Sequence, residues 1–232
     1  MIDSRATLQD RLEEVRSRIR SACERAGRDP GGVRVVAVTK EVPVDVAGWA
    51  VESGLTDLGE NYVQEMAIKV EALPRATWHY VGALQGSTAH RVADLADAVH
   101  SLVPGRAASR LAGRAERSGK ILPAMIQVDL AGRRTGVTPE EAPAFARRAA
   151  SMPGIELSGL MTLPPEPAQP EDSRPFFRRL RELRDRVRQD VDGFDDLSMG
   201  MSADFEVAVE EGATMVRIGT ALFGERPSHR SA

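Results

Sequence analysis

The chain has 232 residues, of which 42% are hydrophobic and 28% charged, with a formal net charge of −3. That balance suits a globular domain and argues against a general affinity for nucleic acid or acidic membrane. The single cysteine, Cys23, rules out an internal disulfide, and no apolar run reaches the ~18 residues of a membrane span.

The N-terminus is charged (Arg5, Asp10, Arg11, Glu13, Glu14) and carries no signal-peptide core, so the expected compartment is the cytoplasm. Leu8, Leu12, Val15, Ile19 and Cys23 recur at helical spacing, which predicts about four turns of helix closed by Gly27 and by Asp29-Pro30-Gly31-Gly32. On that face Cys23 reads as a small core residue. A nearly continuous run of apolar β-formers over 33–38 predicts a strand covered on both faces. A helix through Val46, Trp49 and Ala50 follows and ends near Gly54.

The strand-then-helix unit then repeats. Strands are predicted at 58–59, 78–81, 99–103, 121–129, 155–162, 197–199 and 214–218. The intervening helices cover about 62–72, 88–96, 106–117, the stretch after Pro139 to Ala150, 174–189 and 203–211, with a last turn from Thr220. Arginines between Arg174 and Arg188 alternate with Glu182, Asp185 and apolar residues, which reads as a solvated helix face before it reads as a basic patch for RNA. The Pro-rich segment 163–170 lies inside one of the units and reads as a surface loop.

Eight alternations argue for parallel pairing with right-handed crossovers, and eight is the number that closes a TIM-type barrel. The fold expected is α/β, one (β/α)8 barrel domain over 1–232 with an extra N-terminal helix within 1–28 and a frayed polar tail at 225–232. The second and seventh strands are short, and an open doubly wound sheet is the alternative.

A barrel of this kind carries its site at the C-terminal strand ends. Lys40 follows a fully apolar strand. Either it snorkels to solvent or it is a desolvated amine able to form a Schiff base. Ser202, Gly219 and Thr220 follow strands seven and eight, where such barrels tend to hold phosphate. Each also has a plain reading, Ser202 as the cap of a helix at Ala203 and Gly219 as a turn residue. Arg217 faces away from Val216 and Ile218 and is either a structural ion-pair member or a partner for a ligand nitrogen. Asp57, Glu60 and Glu65 match no metal spacing and read as caps or solvated acids.

The segments Val36-Ala-Val-Thr-Lys40 with Pro43, Gly59-Glu-Asn-Tyr-Val-Gln-Glu65 and Trp78-His-Tyr-Val-Gly-Ala-Leu-Gln85 resemble the pyridoxal phosphate (PLP) homeostasis protein family. So do Leu157-Ser-Gly-Leu-Met161, Leu197-Ser-Met-Gly-Met-Ser-Ala-Asp-Phe-Glu206 and Arg217-Ile-Gly-Thr-Ala-Leu-Phe-Gly224. The family looks like the barrel of alanine racemase standing alone. The resemblance implies PLP held as an internal aldimine on Lys40, phosphate contacts from Ser202, Gly219 and Thr220, Arg217 facing the pyridine nitrogen, and Asn61 lining the pocket. Two departures stand out: Gly86-Ser87-Thr88 replaces the usual Asn-Lys pair, and Arg134 stands where a lysine is common.

The resemblance further implies a protein of vitamin B6 homeostasis that holds PLP and hands it to apo-enzymes. A weak amino-acid racemase is the alternative. Racemisation needs a second base opposite Lys40, and the chain ends shortly after the eighth strand. That leaves Tyr62, Tyr80, His79, His90, His100 and His229 as substitutes, with His79 and Tyr80 expected to pack on opposite faces of the third strand. A Schiff-base aldolase without PLP is a third reading. No metal, nucleic acid or membrane is expected as partner, and the expected state is a monomer.

Overall fold

The computed structural model describes residues 2–132 and 136–225. It alternates α1 (Arg5–Ala26), β1 (Arg34–Val38), α2 (Val44–Glu52), β2 (Asp57–Glu60), α3 (Val63–Ala72), β3 (Thr77–Tyr80), α4 (Ala89–Leu95), β4 (Ala98–Leu102), α5 (Arg106–Arg117) and β5 (Leu122–Val128). It continues through α6 (Ala142–Ala150), β6 (Ile155–Thr162), α7 (Arg174–Val187), β7 (Asp196–Ser198), α8 (Phe205–Glu210), β8 (Met215–Ile218) and α9 (Thr220–Phe223). The eight strands form a closed parallel barrel in sequence order, with β8 returning to β1 through Val35↔Val216 and Val36↔Arg217. This is the (β/α)8 barrel with an added N-terminal helix that the sequence predicts, and the open sheet is set aside. Residues 226–232, which include His229 and most of the expected tail, lie outside the described residues, as does Arg134.

Strand side chains alternate between the two sides of the barrel wall. Ala37, Leu58, Leu160, Leu197, Val216 and Ile218 pack outward into the large core beneath the helices. Val36, Met125, Met161 and Met215 form a separate buried cluster inside the barrel. Closed barrels fill their interiors with side chains in layers, so this interior is packed rather than open.

α1 runs for 22 residues, about six turns rather than four, because it starts at Arg5. Ser4 caps it by accepting from Thr7 N, and Gly27 ends it at φ 63°, a left-handed conformation that costs glycine little. Its buried stripe (Leu8, Leu12, Val15, Ile19, Ala22, Cys23) packs beside α8 and α9. The buried Cys23 is the core residue its helical position predicts. Most arginines of α7 are engaged in ion pairs: Arg174, Arg178 and Arg181 converge on the buried Glu211 at 3.1, 3.2 and 3.0 Å. Among the described residues no helix is long and apolar enough to cross a membrane.

Candidate functional site

The alternation that fills the barrel also builds its mouth. Val36, His79, Met161 and Arg217 point inward, so the residues two and four places further along emerge at the C-terminal rim on the same side. Val38, Lys40, Asn61, Val81, Leu163 and Gly219 meet there around a cavity of about 400 Å³. Met201, Ser202, Ala203, Asp204 and Thr220 complete it from the loops after β7 and β8. The structure therefore brings together Lys40, Asn61, Ser202, Arg217, Gly219 and Thr220, which come from widely separated parts of the chain. The Pro-rich loop is more than the surface loop expected: Leu163, Pro164, Glu166 and Pro167 form one wall of the cavity.

Lys40 sits on a braced segment. Lys69 Nζ donates to Thr39 O at 2.6 Å and pairs with Glu60 Oε1 at 2.6 Å. Thr39 Oγ1 donates to the same Glu60 oxygen at 2.7 Å. On the other side of Lys40, Glu41 N donates to Glu65 Oε2 at 2.7 Å. Glu41 adopts φ 59°, a left-handed conformation that a non-glycine residue holds at a cost of about 1 kcal/mol, so the hydrogen bond stabilises a strained link. Burial raises the Glu60 pKa, and the Lys69 and Thr39 contacts oppose that rise. Sequence reading missed Lys69, although Glu65 and Lys69 stand one helical turn apart.

Arg217 is buried, and its guanidinium reaches carbonyl and hydroxyl oxygens rather than a carboxylate. Nη1 donates to Ser198 O at 2.7 Å and to Ser198 Oγ at 2.6 Å, and Nη2 donates to Thr162 O at 2.8 Å. Desolvation lowers its pKa to about 10, against a small opposing pull from Asp204, so it remains a cation at neutral pH. The ion-pair reading is replaced by a positive group held by neutral acceptors at the floor of the cavity.

The loops after β7 and β8 are tied to one another. Ala221 N donates to Ser202 Oγ at 3.1 Å. Ser202 is not the cap of α8, which begins at Phe205 with Asp204 before it. Asp204 holds the loop by accepting from Met201 N and from Ser173 Oγ, both at 2.7 Å. Gly200 needs to be glycine, since φ is 91° and a Cβ there would lie 2.5 Å from Ala208 Cβ. At Gly219 a Cβ would meet nothing closer than 3.6 Å, so protein packing does not demand a glycine. A Cβ would instead occupy cavity space beside the Ser202 and Thr220 hydroxyls. An amine, a guanidinium, two hydroxyls and an open backbone turn suit a ligand with an aldehyde, a ring nitrogen and a phosphate ester.

The expected second bases scatter. Tyr62 caps α3 and is half exposed, His90 is exposed, and Tyr80 donates to Ala83 O. His79 and His100 lie inside the barrel, below the cavity. The acidic set divides as well: Asp57 starts β2 beside His79, whereas Glu60 and Glu65 belong to the Lys69 brace. Among the described residues no group of three metal-binding side chains occurs. At the Gly86 departure, the Gly86 carbonyl accepts from Arg110 at 2.7 Å.

Comparison with known proteins agrees with the fold. The sequence model of the family "alanine racemase, N-terminal domain" matches residues 11–227. A pyridoxal phosphate homeostasis protein of Aquifex aeolicus is 42% identical over 222 residues, covering 94% of this chain and 97% of that one. The structure of PipY from Synechococcus elongatus with PLP bound superposes with a TM-score of 0.83 at 31% identity, covering 94% of this chain and all of that one. A crystal structure of a protein from Bifidobacterium adolescentis reaches a TM-score of 0.90 at 31% identity, covering 96% and 98%.

Proposed function

The chain belongs to the alanine racemase N-terminal domain family, and within it to the pyridoxal phosphate homeostasis proteins; from that premise we propose that it binds PLP at the C-terminal rim of its barrel and serves cellular vitamin B6 balance. The observation that carries the reading is the convergence of Lys40, Asn61, Ser202, Arg217, Gly219 and Thr220 on one cavity of about 400 Å³.

PLP supplies an aldehyde, which an amine can capture reversibly, and a ring that can take up electrons. Lys40 Nζ is the amine in this lining, and its backbone is held in place from both sides. Ser202, Thr220 and the turn at Gly219 offer hydroxyl and backbone groups to a phosphate. Arg217 presents a cation to a ring nitrogen and so favours the unprotonated nitrogen, which weakens the ring as an electron sink. Holding and releasing the cofactor fits these residues better than turnover. Racemisation also needs a proton carrier opposite Lys40; the titratable side chains in the lining besides Lys40 and Arg217 are Glu166 and Asp204, and Asp204 is engaged in holding its own loop. We further propose that the protein acts as a monomer and passes PLP to apo-enzymes.

The test is the visible absorbance of purified protein loaded with PLP, beside Lys40→Ala. The expected result is a yellow band, absent in the variant, that borohydride bleaches while fixing the cofactor's mass on Lys40. A protein that stays colourless with excess PLP overturns the reading. Solvent deuterium exchange at the α-carbon of any common amino acid would transfer the protein to the racemase class.

A further inference from the structure

Below the cavity, polar side chains from five strands form an unbroken chain through the barrel. Arg217 on β8 donates to Ser198 Oγ on β7 at 2.6 Å. Ser198 Oγ lies 2.8 Å from His100 Nδ1 on β4. His100 Nε2 lies 2.9 Å from His79 Nδ1 on β3, and the two rings meet edge to face at 89°. His79 Nε2 lies 2.9 Å from Asp57 Oδ1 on β2. Asp57 is partly exposed at the opposite rim, with Arg34 Nε 3.8 Å away. Burying so many polar groups is costly unless every one is satisfied.

The two ends fix the direction of every link. A guanidinium can only donate and an ionised carboxylate can only accept. Ser198 Oγ accepts from Arg217, so its own proton points to His100 Nδ1. His100 then carries its proton on Nε2 and gives that hydrogen bond to His79 Nδ1. His79 in turn carries its proton on Nε2 and gives it to Asp57. One proton serves each link, both imidazoles are neutral, and the cation at one end faces the anion at the other. The reverse direction would put two donors on Ser198 Oγ and leave its hydroxyl proton without a partner in the chain. Burial, His79, Arg217 and Arg34 all push the His100 pKa well below the usual imidazole value, in keeping with a neutral ring.

The geometry points to Ser198, His100, His79 and Asp57 as positioning residues: a one-directional relay that holds the Arg217 guanidinium at the cavity floor and ties it to Asp57 at the far rim. Its effect on the cofactor rests on the PLP reading above, but its proton arrangement does not. The first measurement is therefore nitrogen-15 NMR of the imidazoles in ligand-free protein at about pH 8, where the tautomer of a neutral ring is read directly. At that pH both buried rings are expected to carry their proton on Nε2. An Nδ1-protonated tautomer at either position overturns the relay.

Asp57→Asn replaces an obligate acceptor with a group that can also donate. A second, Nδ1-protonated population at His79 is then expected, and unchanged tautomers would show that Asp57 does not set the direction. Ser198→Ala cuts the chain next to Arg217 without touching the cavity lining. Its PLP affinity is expected to fall about tenfold. Unchanged affinity would sink the positioning role. If wild-type protein fails to bind PLP at all, the cofactor reading fails, and the tautomer result still decides the relay.

Discussion

Lys69 illustrates how much one buried side chain can hold. Its ammonium is 4% exposed and bridges Thr39 O and Glu60. Lys69→Met would leave the Glu60 carboxylate buried without its counter-charge, at a cost of about 3 to 5 kcal/mol. A denaturant melt checks this, and the variant should also load PLP more slowly, because Thr39 O is released beside Lys40. A loss below about 1 kcal/mol would mean that Glu60 is already protonated in the folded protein. His100 gives a pH prediction. Its folded pKa is depressed, so the unfolded chain binds its proton more readily, and the associated stability is present above the unfolded pKa of about 6.5 and falls as pH drops below it. The slope expected from this one group is about 1.4 kcal/mol per pH unit. His100→Gln should remove that part of the slope between about pH 6.5 and 5, above the window where Glu171, Glu210 and Glu211, all with lowered pKa, contribute their own losses.

Between elements, glycines decide how closely the loops approach. Gly200→Ala forces a side chain onto φ 91° and to within 2.5 Å of Ala208 Cβ, so about 2 kcal/mol of stability should be lost. PLP affinity should fall with it, because Met201 and Ser202 follow directly. Gly32→Ala, with nothing within 4 Å, is the control and should stay within about 0.5 kcal/mol in the same melt. The elements themselves were largely legible, because apolar runs and turn residues mark β1, β6 and the end of α1 at Gly27. The start of α1 was not: Arg5 to Thr7 carry no strong apolar periodicity, and the cap at Ser4 is a single hydrogen bond. The cap of α8 was misread for a related reason, since Ser202 and Asp204 are both good capping types and only the folded loop engages Ser202 with Ala221. Leu163 to Pro167 gave no signal for facing the cavity, because prolines carry neither charge nor period.

At the scale of the whole molecule, barrel closure is what sequence spacing conveys least. Asp57, His79, His100 and Ser198 sit on four strands, and only the register of the barrel aligns them. Lys40 and Gly219 become neighbours only because β8 pairs with β1. A closed barrel offers no edge from which to fray, so thermal unfolding should be one cooperative transition, with calorimetric and van't Hoff enthalpies in agreement. Saturation with PLP at about 100 times its Kd should stabilise the folded form by about 2.7 kcal/mol, read as a raised midpoint. Two separate transitions would contradict a single domain over 1–232.

The packed interior also sets the terms of exchange. Val36, Met125, Met161, Met215 and the polar chain fill the barrel beneath the cavity, so the chamber is a cul-de-sac. Among the described residues the barrel interior leaves no passage from below, so a ligand of this cavity comes and goes on the C-terminal side. Any apo-enzyme that takes PLP from this chain, as proposed, would have to approach that face, since no second guest can push the tenant out from behind.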